Sequence, residues 1–338
     1  MNPDEQQLVT QVRAGSRRAL ARLLTRVENE SADAMLAALY PHTGQAWVIG
    51  VTGAPGTGKS TLVNALALYY RAQGKSVGIV AVDPTSPFSG GAILGDRVRM
   101  RDLAGDSGIF IRSMATRGSL GGLAPATRDA VRVLDAAGFD VVLVETVGAG
   151  QGEVEIARAA ETVIVVEAPG LGDDVQAIKA GILEIADVLV VNKADRPGAE
   201  STARALKAML ELGHPAAREG FMAQRERLLP DDPPEEHAPL WVASVVQTVA
   251  LEKQGIDALA DAIAQHRLYL ESSRLRERLA RRQIEMELYQ RLQSALMRRL
   301  REKISADEFA LAVERVSARE WTPQQAIEWI LELLVAKD

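Results

Sequence analysis

The stretch Gly53-Ala54-Pro55-Gly56-Thr57-Gly58-Lys59-Ser60-Thr61 follows an apolar run at Trp47–Val51 and precedes the helix-forming sequence LVNALALYY. It fits the phosphate-loop pattern G-x-x-x-x-G-K-[ST]. Glycines let successive backbone N–H groups turn towards phosphate oxygens, and the helix that follows points its positive end at the anion. Lys59 is predicted to reach the β- and γ-phosphates, and the Ser60 hydroxyl is predicted to ligate Mg²⁺. We therefore predict that all nine residues bind a nucleotide.

Strand-like and helix-like segments alternate on both sides of this loop. Further short apolar runs are found at Val77–Val82, Ile109–Ile111, Val141–Val144, Val163–Val166, Val188–Val191 and Leu240–Val246. Helical patterns lie between most of them, at Thr61–Gln73, Ala124–Ala137, Val175–Ile185 and Glu200–Leu212. Runs that are apolar at every position suit strands buried on both faces, and strand–helix alternation is typical of a parallel sheet with right-handed crossovers. The predicted fold class is α/β: a P-loop NTPase with a mostly parallel sheet flanked by helices.

Helical sequences bracket this region. Apolar residues recur at three- and four-residue spacing within 4–40, and the chain after Gln254 is rich in Arg and Glu. Thr322-Pro323-Gln324-Gln325 predicts a capped helix start. The acidic, proline-rich segment Pro230–Pro239 is interpreted as a surface loop. The predicted organisation is an N-terminal helical extension at 1–43, a nucleotide domain at 44–257 and a C-terminal helical arm at 258–338.

Composition excludes several classes of protein. The chain has 338 residues, 47% of them hydrophobic, and a net charge of −6, which disfavours binding to a nucleic-acid backbone. It has no cysteine, which excludes disulfides, thiol nucleophiles and cysteine-based zinc sites, and its four histidines are scattered. Residues 1–12 lack the pattern of a signal peptide, and the longest apolar runs are too short to cross a membrane. We expect a cytoplasmic protein with no nucleic-acid or membrane partner.

The tetrapeptide Asn192-Lys193-Ala194-Asp195 follows an apolar strand and fits N-K-x-D. The Asp195 carboxylate is expected to accept hydrogen bonds from N1–H and the 2-amino group of guanine. Adenine lacks this pair of donors and would leave the carboxylate unpaired, which is costly. Lys193 is expected to lie along the base, and Asn192 is expected to tie the loop together. The pattern predicts a preference for guanine; its alternative interpretation is a polar turn at a strand end.

Three acidic residues stand where a magnesium site is expected. Asp83 and Glu145 end apolar runs, and Asp96 lies in a glycine-rich loop, so with Ser60 they form the predicted metal set. The alternative is that these acids simply cap helices or loops. Glu145-Thr146-Val147-Gly148 stands where small GTPases have D-x-x-G, and the Gly148 N–H is expected to contact the γ-phosphate.

The position after this motif bears on the rate of hydrolysis. Ala149 stands where Ras-like enzymes have the glutamine that orients water, so hydrolysis is expected to be slow and to depend on a partner or a moving loop. Pro169–Asp174 is a candidate for such a loop. Lys179 on the following helix is a candidate activating cation, although a solvated helix charge is an equal alternative. The predicted catalytic set is Lys59, Glu145, Gly148 and Lys179.

Several strings together resemble the MeaB/ArgK-type GTPases, which are chaperones of adenosylcobalamin-dependent acyl-CoA mutases. They are VTGAPGTGKSTL, VDPTSPFSGGAILGDRVRM, RGSLGGLAPATRDAV, ETVGAGQGEVEIA, PGLGDDVQAIKAGILEIAD and NKAD, and the likeness spans roughly residues 5–300. The resemblance implies a homodimer that binds GTP or GDP and Mg²⁺ and forms a complex with the mutase. It also implies that GTP gates transfer of adenosylcobalamin from an adenosyltransferase, so that cobalamin is bound only through the partner.

The resemblance also implies positions for further parts of the site. The family's metal acids match Asp83, Asp96 and Glu145, and its switch loops match about 84–100, 146–158 and 169–184. The C-terminal arm is implied to form the dimer. The loop that covers the guanine ring fits best at Thr248-Val249-Ala250-Leu251, before Gly255-Ile256, so Val249, Ala250 and Leu251 are assigned to nucleotide binding. Ala243-Ser244 is a competing placement.

Other functions are compatible with the same phosphate loop. A nickel-delivering GTPase is an alternative, although the chain lacks clusters of Cys and His. A small-molecule kinase is another, although no base for a substrate hydroxyl is evident. A GTP-binding regulator of an unrelated complex is the third. The client mutase is also open, since relatives of methylmalonyl-CoA mutase act on isobutyryl-CoA or 2-hydroxyisobutyryl-CoA.

Overall fold

A computed structural model of the chain describes residues 1–29, 32–83, 103, 105–115, 125–146, 156, 159–170, 185–212 and 241–336. The described residues form one sheet of seven strands, all parallel, in the order β3-β2-β4-β1-β5-β6-β7. The strands are β1 (Trp47–Thr52), β2 (Val77–Asp83), β3 (Ile109–Ala115), β4 (Val141–Thr146), β5 (Thr162–Glu167), β6 (Val188–Asn192) and β7 (Ser244–Thr248). The predicted α/β fold class, with a parallel sheet, is confirmed.

The prediction was wrong in detail at the seventh strand. The apolar run suggested Leu240–Val246, but the strand is Ser244–Thr248 and includes three polar residues. Trp241 packs outside the sheet instead, with its ring centroid 4.9 Å from that of His266, and its Nε1 donates to the Asp187 carbonyl at 2.9 Å. Hydrophobicity alone does not separate a strand residue from an aromatic residue that packs beside the sheet.

Helices cover both faces of the sheet. The first face carries α1 (Pro3–Arg13), α2 (Arg17–Asn29), α3 (Asp33–Leu39), α5 (Pro125–Ala136) and α6 (Ala199–Leu212), and the second carries α4 (Lys59–Ala72) and α7 (Ile256–Ser272). Strand residues alternate between the two cores: Val142 and Val144 of β4 join the first, whereas Val141 and Leu143 join the second. This two-sided burial is why the strands are continuous apolar runs. The predicted helix Val175–Ile185 and the predicted loop Pro230–Pro239 lie outside the described residues, apart from Ile185.

The C-terminal region is a series of helices: α8 (Leu275–Lys303), α9 (Ala306–Ser317) and α10 (Pro323–Ala336). Arg274, at a φ of +54°, separates α7 from α8 within the stretch that the sequence suggested was one or more long helices. The predicted cap at Thr322 is confirmed, because Thr322 Oγ1 accepts from the Gln325 N–H at 3.2 Å and the Gln325 side chain accepts from the Thr322 N–H at 2.9 Å.

The chain divides into two compact units, Met1–Leu279 and Ala280–Asp338. The first contains the sheet and its two cores. The second has a small core of its own around Ile304, Ala312, Ala326 and Ile330. Within the described ranges, no helix is both long enough and apolar enough to span a membrane.

Candidate functional site

The phosphate-loop sequence connects the carboxyl end of β1 to the first turn of α4, and its glycines are sterically required. Gly53 has a φ of +138°, and a Cβ at this position would lie 2.1 Å from the Val166 carbonyl oxygen of β5. Gly58 has a φ of +92°, and a Cβ there would lie 2.4 Å from Asn192 Nδ2. Side chains at these positions are excluded both by the backbone conformation and by their neighbours. The loop therefore packs directly against the ends of two other strands.

Lys59 is the first residue of α4 and is 6% exposed. Its ammonium group donates to the carbonyl oxygens of Gly53 at 2.8 Å and Ala54 at 2.9 Å. These contacts turn the side chain back along the loop towards the positive end of the helix. A cation held there is suited to a phosphate group.

Ser60 and Glu145 meet at the buried base of the loop. The Ser60 hydroxyl donates to Glu145 Oε1 at 2.6 Å, and the two residues are 9% and 5% exposed. The sheet register causes this meeting, since Glu145 of β4 pairs directly with Val51 of β1. A hydroxyl and a carboxylate are the hard oxygen donors that Mg²⁺ prefers, so this pair fits a magnesium ion. Asp83 ends β2, the strand adjacent to β4, at the same edge of the sheet.

The remaining predicted metal and catalytic residues are not placed. The side chain of Asp83 and all of Asp96, Gly148 and Lys179 lie outside the described part of the chain, as do Ala149 and most of the predicted switch loops.

Asn192, the last residue of β6, links three parts of the site. Its Nδ2 donates to the Thr57 carbonyl of the phosphate loop at 2.9 Å. Its Oδ1 accepts from the Thr248 hydroxyl and from the Ala250 N–H, each at 3.1 Å. The side chain is 2% exposed, so these bonds are shielded from water. The expectation that Asn192 ties the loop together agrees with this geometry.

The residues after Asn192 form a tight turn beside the phosphate loop. Lys193 has a φ of +58°, and its ammonium group donates to the Gly56 carbonyl at 2.6 Å. The Ala194 N–H donates to the Thr248 carbonyl at 3.0 Å. Asp195 is exposed. A base lying against this turn would therefore find the Asp195 carboxylate accessible.

The segment after β7 closes into a small loop on the same side. Val249 and Gln254 exchange two backbone hydrogen bonds at 3.1 and 3.2 Å around the short helix Ala250–Glu252, in which Leu251 is 85% exposed. Gly255 ends the loop at a φ of +71°, where a Cβ would lie 2.3 Å from the Gln247 carbonyl. The structure thus brings Ala250 to Asn192. The competing segment Ala243-Ser244 lies at the other end of β7.

Two buried hydroxyl contacts were not anticipated from the sequence. Thr248 holds Asn192 through its hydroxyl and Ala194 through its carbonyl, and it is 1% exposed. Thr146 donates to Thr52 at 3.0 Å, which joins the ends of β4 and β1 directly beneath the phosphate loop. The sequence signal at Thr52 is a threonine that ends an apolar run, which is common at strand ends, and Thr248 belongs to the matched segment Thr248-Val249-Ala250-Leu251.

Comparisons with known proteins agree with this arrangement. Residues 20–305 match the family described as methylmalonyl-CoA mutase-associated GTPase MeaB. A candidate GTPase of Pyrococcus abyssi is 47% identical over 97% of this chain and 96% of its own length. The GTPase ArgK of Escherichia coli is 38% identical over 78% of this chain and 76% of its own length.

A solved structure has the same fold. The crystal structure of a LAO/AO transport system kinase superposes with a TM-score of 0.69 at 26% identity and covers 99% of both chains.

Proposed function

The chain belongs to the MeaB family of GTPases, and from that premise we propose that it is a GTP-hydrolysing chaperone that gates adenosylcobalamin loading, protection and reactivation of an acyl-CoA mutase. The observation that supports this most strongly is the position of Asn192. Its side chain joins the phosphate loop, at Thr57, to the loop after β7, at Ala250. One buried amide therefore couples the element suited to phosphates to the element suited to a base, as a single guanine-nucleotide site requires.

The proposed roles follow from the chemistry of the side chains. Lys59 and the start of α4 neutralise the phosphate charge, and Asp195 selects guanine through its paired donors. Ser60 and Glu145 would hold Mg²⁺, with Asp83 and Asp96 as the other proposed ligands. When bound, that ion supplies positive charge to the β- and γ-phosphates. Gly148 and Lys179 complete the proposed catalytic set.

Turnover by the protein alone is proposed to be slow. Ala149 leaves the usual water-orienting position without a polar side chain. Contact with the mutase would then complete the catalytic arrangement, so that hydrolysis is tied to formation of the complex. GTP and GDP are the nucleotides that the chaperone itself binds. Adenosylcobalamin, delivered by an adenosyltransferase, belongs to the mutase.

We further propose that the protein is a homodimer and that the C-terminal arm forms the interface. Ile284, Leu288, Leu292 and Leu296 of α8 are spaced four residues apart and are between 43% and 63% exposed. Residues four apart lie on the same side of a helix, so these side chains form an apolar stripe. Light scattering of the full chain and of Leu288→Arg/Leu292→Arg tests this. A dimeric native chain and a monomeric variant are expected, and a native monomer would refute the dimer.

The test of the chaperone proposal uses nucleotide-dependent complex formation. The purified chain is mixed with methylmalonyl-, isobutyryl- or 2-hydroxyisobutyryl-CoA mutase and analysed by size-exclusion chromatography with a non-hydrolysable GTP analogue, GDP or no nucleotide. One of the mutases is expected to co-elute in a nucleotide-dependent way. Asp195→Asn is the matched control, because it exchanges the preferred base from guanine to xanthine. Its complex should require the xanthosine analogue, and failure of every mutase to co-elute would contradict the chaperone role.

A further inference from the structure

A cleft of about 110 Å³ opens at the edge of the sheet opposite the phosphate loop. Trp47 and Val141, the first residues of β1 and β4, form its floor. The last turn of α4 and the middle of α7 form its walls. Both helices begin at the nucleotide site, α4 at Lys59 and α7 just after Gly255, and they lead away from it towards the cleft. This cleft is therefore separate from the site described above.

The walls of the cleft present hydrogen-bond donors. Tyr70, Gln73 and Lys75 line it together, and they contribute a phenolic hydroxyl, an amide and an ammonium group. Among the described residues, none of these three side-chain groups has a hydrogen-bond or ion-pair partner; the ammonium of Lys75 lies 5.3 Å from the centre of the Tyr70 ring. Tyr70 is only 6% exposed. The Tyr70 hydroxyl keeps contact with solvent in the cleft, so a ligand that accepts its hydrogen bond would replace water there.

The charge of the cleft favours an anion. Arg267 also lines it, with its guanidinium 4.8 Å from the centre of the Trp47 ring and its Nε bonded to Glu271 at 2.8 Å. Burial raises the pKa of the Tyr70 phenol well above its ordinary value, so the hydroxyl keeps its proton and remains a donor. Among the lining residues Asp261 is the acidic one, and it is exposed at the rim. The lining thus carries two cations and one solvated carboxylate, and because Glu271 already pairs with Arg267, Lys75 is the cation most available to an anion.

We propose that this cleft binds a small oxyanion, a carboxylate or a phosphate, through Tyr70, Gln73 and Lys75. The volume supports a small ligand, because a water molecule occupies about 30 Å³ in the liquid and the cleft therefore holds the equivalent of roughly four waters. The site is independent of the proposed GTPase activity, since no residue that lines it belongs to the nucleotide site.

Isothermal titration calorimetry on the full chain tests the proposal. The protein is first saturated with GDP and Mg²⁺, because the phosphate loop is itself an anion site. Inorganic phosphate and succinate are then titrated separately at constant ionic strength. One-to-one binding of either probe is expected, and the probe that binds more tightly identifies the chemistry of the ligand. Absence of heat from both probes at concentrations of tens of millimolar would overturn the proposal.

Substitutions locate the binding. Lys75→Gln is expected to lower the affinity for the probe by about tenfold or more, because hydrogen bonds that involve a charged group are stronger than those between neutral groups. Tyr70→Phe removes only the hydroxyl and is expected to lower the affinity for the probe by about fivefold. Asp261→Asn is expected to strengthen binding. Lys207→Gln removes the same charge from an exposed position on α6 and is expected to change nothing.

The two proposals fail separately. Equal affinities for Lys75→Gln, Tyr70→Phe and the native chain would show that the anion binds elsewhere and would overturn the cleft assignment. Retained GDP binding by each variant shows that the fold is intact, and should Lys75→Gln not fold, Tyr70→Phe provides the same test. Failure of the native chain to bind GDP would refute the nucleotide site and would leave the proposal of an anion site in the cleft unaffected.

Discussion

Replacing Asn192 by alanine removes the side chain that joins the phosphate loop to the loop after β7. Three hydrogen bonds are lost: one to the Thr57 carbonyl at 2.9 Å, and one each from the Thr248 hydroxyl and the Ala250 N–H at 3.1 Å. The partners are buried, with Thr57 at 0%, Thr248 at 1% and Ala250 at 4% exposure. Water therefore does not readily replace the lost amide, and the partners are left without it.

The expected magnitude follows from these three bonds. A net contribution of about 1 kcal/mol for each gives a loss of about 3 kcal/mol in the free energy of unfolding. Nucleotide binding to the variant must restore the loop arrangement that the amide maintains in the native chain. If this costs the full energy of about 3 kcal/mol, GDP affinity falls by roughly 150-fold; if it costs about 1 kcal/mol, the value of one hydrogen bond, GDP affinity falls by roughly fivefold. Thr248→Val removes a single one of the three bonds while keeping the shape of the side chain. It is expected to cost about a third as much stability.

Two measurements separate stability from binding. Urea unfolding of the native chain, Asn192→Ala and Thr248→Val gives the loss of stability in the absence of nucleotide. Titration with a fluorescent GDP analogue, at a urea concentration far below each transition, gives the change in affinity. Asn29→Ala serves as the matched control, since it deletes the same side chain from an exposed helix end. It is expected to leave GDP affinity unchanged.

An Asn192→Ala variant that binds GDP as tightly as the native chain would refute the proposed coupling between the two loops. Such a result would mean that the two loops do not depend on this amide. A variant that loses about 3 kcal/mol of stability but no affinity would make Asn192 a purely structural residue.

Other substitutions test separate parts of the site. Lys59→Ala is expected to weaken GTP binding by at least about 100-fold, because a charge-assisted contact to phosphate is lost, and calorimetric titration measures it. Gly53→Ala places a methyl group 2.1 Å from the Val166 carbonyl. The loop must then move, so we expect nucleotide binding to be lost while circular dichroism still reports a folded sheet. Asp106→Asn tests pH dependence: the hydrogen bond from Arg71 lowers the pKa of this carboxyl. The stability that the ionised Asp106 carboxylate contributes is present above the ordinary aspartate pKa and is lost as pH falls through the lowered pKa of the folded chain. The variant should thus be less stable at pH 7, by under about 1 kcal/mol at this partly exposed site, and should match the native chain in acid unfolding curves.

The parts of the fold that depend on local sequence were predictable. The phosphate loop is fixed by glycine conformation, and β1, β4, β5 and β6 by runs that are apolar at every position. The order of the sheet was not predictable, because the placement of β4 between β1 and β2 is a long-range pairing. The position of the break at Arg274 was not predictable either, since a single left-handed residue does not interrupt a helical pattern of Arg, Glu and Leu.

The site was predictable as a set of motifs but not as a set of contacts. The Asn192 pattern indicated a role in joining loops, yet its partners are a backbone carbonyl, a hydroxyl and a backbone N–H that carry no sequence signature. The cleft was not foreseen either. Trp47 and Tyr70 are residue types that are expected in a core, and only the folded chain shows that Gln73 and Lys75 line the same cleft.

GTP hydrolysis by the full chain, measured with and without each candidate mutase, tests the central claim most directly. We expect slow release of phosphate by the chain alone and a marked increase with one mutase. A Glu145→Gln variant should lose that increase if Glu145 contributes to the metal site. Fast turnover by the chain alone, or a rate that none of the mutases changes, would contradict the account.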